Sequence, residues 1–461
     1  MAAVVNHEKL YDDYVYKIQF DKMTKTPVSK LILLMGFPSM ICILITHIYN
    51  LVDTYFVGKL GTSASGAVGV VFGIMAILQA FGFMYGQGAG ILVSRLLGEK
   101  DEREANVVAS VALFTSFATG VMLSLVGLSL LGPVLYGLGS TETIFPFAKE
   151  YAIWIFLSAP FIMTSLTLNN LFRYQGKAFM GTIGIGTGAV LNMILDPVLI
   201  FSFGLDIRGA GISTAVSQCV GFAVLMAFFQ SRHCQLTFRM GDVRCFLREI
   251  PGIVAAGMPA FLGQVLATLS TMCLNREARI YGDSAIAAMS IVGRISFLMF
   301  AVGLGFAQGF QPVGGFNYGA EKYGRVRDGF LFSLIVSEIF LGIFAILGMV
   351  ESDSIIAVFR DDAEVRAIGG TALPMQCFGI LFAPLMTCTN VLLQSAGKNR
   401  ASSLVSSMRH GLFFLPLILI LPRHWGLTGI ELAQPAADVL GFLVTLPIAV
   451  RLCRQLKQKE E

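Results

Sequence analysis

The sequence is dominated by long apolar runs separated by short polar stretches. An apolar helix of about 20 residues crosses the hydrocarbon core of a bilayer, because each residue adds about 1.5 Å. Twelve runs meet this length, and we name them spans one to twelve: 31–57, 66–92, 107–131, 149–172, 180–203, 209–230, 250–275, 284–312, 329–350, 366–393, 401–421 and 427–450. Only 13% of the residues are charged, against about 25% in soluble domains. We therefore predict an all-α integral membrane protein with twelve transmembrane helices.

The basic residues predict which ends of the spans face the cytoplasm. Most of the 33 Lys and Arg residues lie before span one, after span twelve and in every second loop between them. Because cytoplasmic loops are enriched in Lys and Arg, we predict that both termini are cytoplasmic. The first residues lack the apolar core of a signal peptide, and the net charge of +4 gives no reason to expect a nucleic-acid partner. We assign three stretches to the cytoplasm, as N-terminal segment, linker and tail: 1–30, 232–249 and 451–461.

The second half of the chain repeats the first half at a constant offset. The recurring pairs include Pro38 and Pro259, Gly61 and Gly282, Gln87-Gly88 and Gln308-Gly309, and Gly176-Lys177 and Gly397-Lys398. Each half holds six spans, an even number, so both halves share one orientation and are related by an axis along the membrane normal. We predict two pseudo-symmetric six-helix lobes, at 31–231 and 250–450.

Polar residues in three spans of the first half fall at similar depth. Span one carries a single carboxylate, Asp53, near its far end. An ionisable residue inside such a segment is costly, so by default it has a partner and a function. Span five offers Asn192 and Asp196, which share one helical face at i and i+4, and span six offers Thr214. We predict that these four side chains form one polar site.

Two chemical roles are open for this site. Its oxygen ligands suit Na⁺, whereas two carboxylates in a low-dielectric interior could instead share a proton. The alternative is a hydrogen-bond network that only locks the helices together. The repeat favours a functional role, because Leu274 and Leu417 stand where Asp53 and Asp196 would recur. A purely structural network would be expected in both halves.

Other sequence patterns give little sign of catalysis. The sequence contains no Walker-type loop, no H-E-x-x-H and no G-x-S-x-G motif, and its eight cysteines include no C-x-x-C pair. We therefore expect neither an enzyme nor a cofactor. Arg294 is the one basic residue that we place deep in a span. It either binds a substrate anion or, as we expect, pairs within its lobe, with Glu431 as the candidate partner.

Three motifs resemble those of a known transporter family. They are Pro38 ahead of Asp53-Thr54 in span one, Asn192 ahead of Asp196-Pro197 in span five, and GFAQGFQPVGGFNYGA at 305–320. In this order and spacing, over nearly the whole chain, the sequence resembles the multidrug and toxic compound extrusion (MATE) family, in its DinF/MepA-like bacterial branch.

This resemblance implies a V-shaped pair of lobes in the bacterial inner (plasma) membrane. The family exports amphipathic, mostly cationic organic compounds by antiport with Na⁺ or H⁺ as the coupling ion. Carried over to this sequence, the family's cation site falls on Asp53, Asn192, Asp196 and Thr214. The acids that other branches use in the C-terminal lobe have no match in spans seven, eight and ten. We expect a monomer in the lipid bilayer, with small organic molecules as its substrates.

Two further sets of residues are predicted to serve transport. A cleft rich in Met, Phe and Tyr binds large apolar cations loosely, because such surfaces repack around different guests. In the C-terminal lobe the candidate substrate-binding residues are Gln264, Asn275, Met289 and Gln376. In span one, Gly36 and Pro38 predict a bending point, because proline interrupts the helical hydrogen bonds.

Two other functions compete with export. A flippase for lipid-linked saccharide precursors, from the same wider superfamily, would bind pyrophosphate with several Arg or Lys residues. The sequence offers Arg294 alone at depth, against two deep acids. An ion channel or an intramembrane enzyme would need a filter-like loop or a catalytic set, and we find neither in the sequence. Cation-coupled export is therefore the favoured function.

Overall fold

The computed structural model describes residues 17–231, 234–360 and 362–461. Every regular element among these residues is helical, which confirms the predicted all-α class. Residues 1–16 of the predicted N-terminal segment lie outside the described part, as do residues 232–233 at the start of the predicted linker.

Twelve helical segments of the described chain are long and apolar enough to cross a membrane, as predicted. We keep the names spans one to twelve for Val28–Gly58, Thr62–Gly98, Glu102–Ser129, Phe145–Tyr174, Ala178–Ser202, Asp206–Phe229, Met240–Tyr281, Asp283–Gly319, Tyr323–Val350, Ala363–Ser395, Asn399–Trp425 and Leu427–Glu460. Most of them extend beyond their apolar runs, because polar residues form the first and last turns. The last helix continues through the stretch predicted as a tail.

Four of these spans are not single regular helices. Span five is Ala178–Pro197 followed by a π-helical turn, Val198–Ser202, and span ten is Ala363–Ile380 followed by Ala383–Ser395. Span eleven is built from Asn399–Ser407, a π-helical turn at Met408–Leu412, and Phe414–Trp425. In span seven, Phe246–Ala278 lies between the 3₁₀ turns Met240–Cys245 and Arg279–Tyr281. Two short helices, Leu131–Gly137 and Ser352–Phe359, lie between spans.

The chain divides into two compact units. Among the described residues, unit 1 contains 17–26 and Ile41–Gly257, and unit 2 contains Pro27–Met40 and Met258–Glu461. Spans one and seven are therefore each shared between the units. In both spans the division falls beside the repeated proline, Pro38 or Pro259. The division differs from the predicted lobes mainly in the first parts of these two spans.

Span four forms the centre of unit 1. It is mostly buried and packs against spans two, three and six. Glycines on span two allow the close approach, since a Cβ at Gly86 would lie 2.9 Å from the Asn170 side chain of span four. Small residues at such contacts let membrane helices pack closely. Span four therefore presents its side chains, including Tyr151, from a well-packed position.

Span ten takes the corresponding central place in unit 2. It is mostly buried and packs against spans eight, nine and twelve. Around it lies a cluster of buried apolar side chains that includes Val292, Leu373, Phe414 and Ile418. The fourth span of each half is thus the central one, as the sequence repeat predicts.

One glycine contact occurs at the same place in both units. In unit 1 a Cβ at Gly88 of span two would lie 2.9 Å from the backbone nitrogen of Gly257 in span seven. In unit 2 a Cβ at Gly309 of span eight would lie 2.6 Å from the backbone nitrogen of Gly36 in span one. Gly36 therefore permits close helix packing, and its role in bending stays a prediction.

Candidate functional site

The candidate site begins at Asp53, on the part of span one that belongs to unit 1. The side chain is buried, with 8% of the residue exposed. The hydroxyl of Tyr151, on span four, donates a hydrogen bond to Asp53 Oδ2 over 3.3 Å. The sequence offers no motif that would have identified Tyr151, because it lies on a different helix, far from Asp53 along the chain.

Asn192 links the other predicted site residues. Its Nδ2 atom lies 3.2 Å from Asp196 Oδ1 on the same helix. On span six it lies 3.1 Å from Ser213 Oγ and 3.4 Å from Thr214 Oγ1. The Ser213 hydroxyl also donates to the Asn192 carbonyl oxygen, at 3.3 Å. Asn192, Asp196 and Thr214 are therefore brought together as predicted, and Ser213 joins them.

The two carboxyl groups face each other across the helices. Asp53 and Asp196 lie close enough for their charges to interact. Tyr49 is also buried beside them, one helical turn before Asp53 on span one. The i, i+4 spacing of Tyr49 and Asp53 is visible in the sequence and could have indicated this neighbour.

Three oxygen atoms of the site have no hydrogen-bond partner among the residues that the structure describes. They are Asp53 Oδ1, Asn192 Oδ1 and Asp196 Oδ2, and all three are buried. Buried polar atoms are normally paired, because desolvation without a hydrogen bond is costly. A site with several such oxygens is suited to a small cation or a proton. The donors also fit Na⁺, which prefers carboxylate, amide and hydroxyl oxygen.

The composition of the site distinguishes it from a transition-metal centre. Within the described ranges, no cluster of three or more His, Cys, Asp or Glu residues could hold a metal ion. The donors of the site are instead two carboxylates with neutral amide and hydroxyl groups. Just after Asp196 the helix widens into the π-helical turn Val198–Ser202, a distortion that often occurs at functional sites.

The chain is similar to proteins of a known family. The sequence profile of the MatE family matches residues 38–198 and 259–420, one stretch in each half of the chain. The chain belongs to the MatE family. This confirms the resemblance that the sequence motifs indicated.

Curated relatives agree with this assignment, and a solved structure shares the fold. The MatE protein is 26% identical over 433 residues to the multidrug export protein MepA of Staphylococcus haemolyticus (strain JCSC1435), covering 94% of this chain and 95% of the relative. It is 28% identical over 433 residues to MepA of Staphylococcus aureus (strain MSSA476), covering 93% and 95%. A solved structure of a multidrug resistance MATE family transporter of the MOP superfamily, in an outward-facing conformation, matches with a TM-score of 0.89 at 21% identity. That match covers 95% of this chain and 98% of the other, and it confirms the twelve-helix fold.

The predicted substrate-binding residues of the MatE protein lie in different surroundings. Asn275 is exposed, Gln264 is half-buried and Gln376 is buried. Met289 is only 2% exposed and belongs to the apolar cluster of unit 2. No hydrogen bond between described residues joins any two of the four, so their common role stays a prediction.

The expected pairing of Arg294 is not present in the structure. Arg294 is exposed on span eight. Glu431 instead accepts a hydrogen bond from the hydroxyl of Thr371, at 3.0 Å. Arg294 is also not the only basic residue within a span, because Arg409 lies in span eleven and pairs with Asp438 of span twelve at 2.9 Å.

Proposed function

We propose that this MatE protein is an antiporter that exports amphipathic, mostly cationic organic compounds by alternating access, driven by Na⁺ or H⁺. The main support is the buried site in unit 1, where two carboxyl groups meet and three oxygen atoms lack partners among the described residues. The multidrug export proteins among its relatives support export of several small organic compounds.

Charge explains how this site would sense a cation. Two carboxylates in a low-dielectric interior repel each other strongly when both are ionised. A proton or a Na⁺ ion removes this repulsion and lets Asp53 approach Asp196. Asp53 lies on span one, so cation binding favours one position of that helix and cation release favours another.

Coupling then requires the substrate to favour the opposite position of the same helix. A ligand shifts a conformational equilibrium only if it binds the two states differently. We propose that span one is the shared element, because it carries Asp53 in unit 1 while its first part, Pro27–Met40, belongs to unit 2. Bending near Gly36 and Pro38 would allow the two parts to move separately.

We propose that substrates are held by soft apolar and aromatic side chains with few fixed charges. Such surfaces accept guests of different shape. Gln264, Asn275, Met289 and Gln376 remain our candidates in unit 2. Since Met289 is buried in the apolar cluster, it would contribute only after that cluster rearranges. We also propose a monomer in a bacterial plasma membrane, with both termini cytoplasmic.

Dye efflux from inverted vesicles under an imposed Na⁺ or pH gradient tests the proposal. We expect efflux against the dye gradient, driven by one of the two ion gradients. Asp53→Asn should reduce gradient-driven efflux by about an order of magnitude or more, since typical coupling free energies correspond to changes of this size. Full active efflux by Asp53→Asn would contradict the mechanism. Transport of anionic pyrophosphate-linked lipids alone would support the flippase instead.

The identity of the ion can be separated by a matched pair of variants at Thr214. Thr214→Ala removes a hydroxyl oxygen that could ligate Na⁺, whereas Thr214→Ser retains it. If Na⁺ drives transport, the alanine variant should need a higher Na⁺ concentration and the serine variant should not. Equal behaviour of both variants would indicate H⁺ as the coupling ion.

A further inference from the structure

Unit 2 contains a buried ion pair in the seam between its last two spans. Arg409 lies in the π-helical turn Met408–Leu412 of span eleven, and Asp438 lies on span twelve. Arg409 Nε donates to Asp438 Oδ1 at 2.9 Å, and Arg409 Nη2 donates to Asp438 Oδ2 at 3.4 Å. The side chains are 14% and 1% exposed. A charge pair so well buried inside membrane spans calls for an explanation.

Two neighbours hold this pair in place. Gln434, one turn earlier on span twelve, donates from Nε2 to Asp438 Oδ1 at 2.9 Å. The ring of Phe300, on span eight, lies 4.2 Å from the guanidinium carbon of Arg409, in cation–π geometry. The guanidinium is therefore fixed between a carboxylate and an aromatic ring.

The ion pair lies between the helices that correspond to those of the unit 1 site, although Arg409 and Asp438 align with Ala189 and Gln218 rather than with the site residues. The pairs Gly221-Phe222 and Gly441-Phe442 align the last spans of the two halves. This alignment places Gln434 at the position of Thr214, and Asp438 one turn further along the same helical face. Both polar seams therefore lie between corresponding helices, spans five and six in unit 1 and spans eleven and twelve in unit 2.

The two seams differ in charge. In unit 1 the side chains that donate to Asp53 and Asp196 are Tyr151 and Asn192, which are neutral. Oxygens of both carboxyl groups are left without partners among the described residues. In unit 2 the carboxylate of Asp438 is neutralised by a guanidinium that is covalently part of the chain. The first seam needs a cation from outside, whereas the second already has one.

We propose that Arg409 is a tethered cation, which fills in unit 2 the role that a mobile cation has in unit 1. It keeps Asp438 neutralised throughout the transport cycle and thereby confines cation uptake to unit 1. This inference rests on the proposed function of the site at Asp53 and Asp196. It adds that cation stoichiometry is restricted by a residue far from that site in the sequence.

Cation uptake by purified protein tests this directly. In a background of Asp53→Asn and Asp196→Asn, uptake of radiolabelled Na⁺ and of protons is counted with Arg409 present, with Arg409→Met, and with Arg409→Met plus Asp438→Asn. We expect no uptake with Arg409 present, one cation per protein after Arg409→Met, and none after Asp438→Asn is added. Arg409→Lys, which keeps the charge, is the matched control and should behave like the background.

Uptake by the background with Arg409 intact, or its absence after Arg409→Met, would overturn the proposal. If Arg409→Met does not fold, the double variant Arg409→Met plus Asp438→Met removes both charges, a change that buried ion pairs often tolerate. On an otherwise unaltered chain it should retain gradient-driven efflux. Loss of efflux by the folded double variant would show that the pair takes part in coupling and would equally refute a tethered role.

The two proposals fail in different ways. If the proposed function is wrong, Asp53→Asn keeps its active efflux. If the tethered cation is wrong, the purified protein takes up a cation with Arg409 intact or takes up none after Arg409→Met, and neither result depends on an efflux measurement.

Discussion

The polar seams of the two units lie between corresponding helices but differ in charge. Spans five and six carry Asn192, Asp196 and Thr214, and Asp53 of span one approaches them. Spans eleven and twelve carry Arg409 and Asp438, joined as an ion pair. In both units an acid is buried between corresponding helices. In the second unit an arginine of the chain supplies the positive charge, and this difference is the basis for our proposal that cation uptake is confined to the first unit.

The comparison also explains why a buried acid does not by itself indicate a coupling site. Asp438 is as deeply buried as Asp196, and both residues lie in predicted spans. They differ in their partners. An acid with a permanent counter-charge stabilises the packed helices, whereas an acid beside a second acid responds to the cation concentration.

The largest effect is expected on transport, where substitution of Asp196 should differ from substitution of Asp438. Asp196→Asn should reduce gradient-driven dye efflux by an order of magnitude or more, because the site loses the charge that responds to the cation. Its stability should not fall, since the substitution removes repulsion between two carboxylates. Efflux from vesicles and thermal unfolding in detergent measure the two quantities. Asp328→Asn, at an exposed position with a loose 3.4 Å ion pair, is the control. Unchanged efflux by Asp196→Asn would show that Asp196 does not take part in coupling, so it would not differ from Asp438 in function.

Asp438→Asn should show the opposite pattern. It leaves the buried guanidinium of Arg409 without its counter-charge, and breaking one side of a buried ion pair costs about 3–5 kcal/mol. Thermal unfolding of the purified protein in detergent should therefore shift strongly downwards. A variant with wild-type stability would show that Arg409 finds another partner, and the contrast between the units would then be weaker than we infer.

A smaller effect is expected from the hydrogen bond that Tyr151 donates to Asp53 in unit 1. The Tyr151 hydroxyl donates to Asp53, and hydrogen bonds to charged groups contribute about 1.5–3 kcal/mol. This bond competes with the cation for the carboxylate, so Tyr151→Phe should lower the cation concentration for half-maximal efflux, by about tenfold. Tyr136→Phe is the control, because Tyr136 is exposed and stacks on Phe145. A higher cation requirement in Tyr151→Phe would mean that Tyr151 ligates the cation.

The smallest effect is expected on stability when an exposed ion pair of unit 2 is broken, in contrast to the buried pair. Arg366 Nε, near the start of span ten, donates to Asp353 Oδ1 at 3.1 Å. Asp353 lies in the short helix between spans nine and ten, and this hydrogen bond lowers the pKa of its carboxyl. A lowered folded-state pKa stabilises the fold above the ordinary Asp pKa of about 3.9 and loses this effect as pH falls through the folded-state value. Asp353→Asn should therefore change thermal unfolding slightly at neutral pH and not at all at the acid end. A large change at neutral pH would show that burial is not what separates the two pairs.

Several features of the site were accessible from the sequence. Asp53, Asn192, Asp196 and Thr214 stand out because polar residues are rare in apolar spans and because i, i+4 spacing puts two of them on one face. Tyr151, Ser213 and the partner of Arg409 were not accessible. Each depends on which helices touch and at what rotation, which hydropathy does not encode.

Arg294 and Arg409 illustrate this limit. Both are basic residues within apolar segments, and the sequence alone favoured Arg294 as the residue paired inside its lobe. In the structure Arg294 is exposed, whereas Arg409 is buried against Asp438 and Phe300. Pairing is decided by the direction in which each helix turns its side chain, and a span boundary contains no such information.

The twelve spans, the twofold repeat and the acids of the first half can all be predicted from the amino-acid sequence. Each of these depends on local sequence, because the length of an apolar run, a repeated motif and a charged residue within an apolar run are visible in the sequence. The hydrogen-bond partners depend on the packing of the helices. Three oxygens of the unit 1 site lack partners among the described residues, whereas Asp438 is paired with Arg409. The physical reason is that charge neutralisation acts between helices, over a few ångströms of space rather than along the sequence.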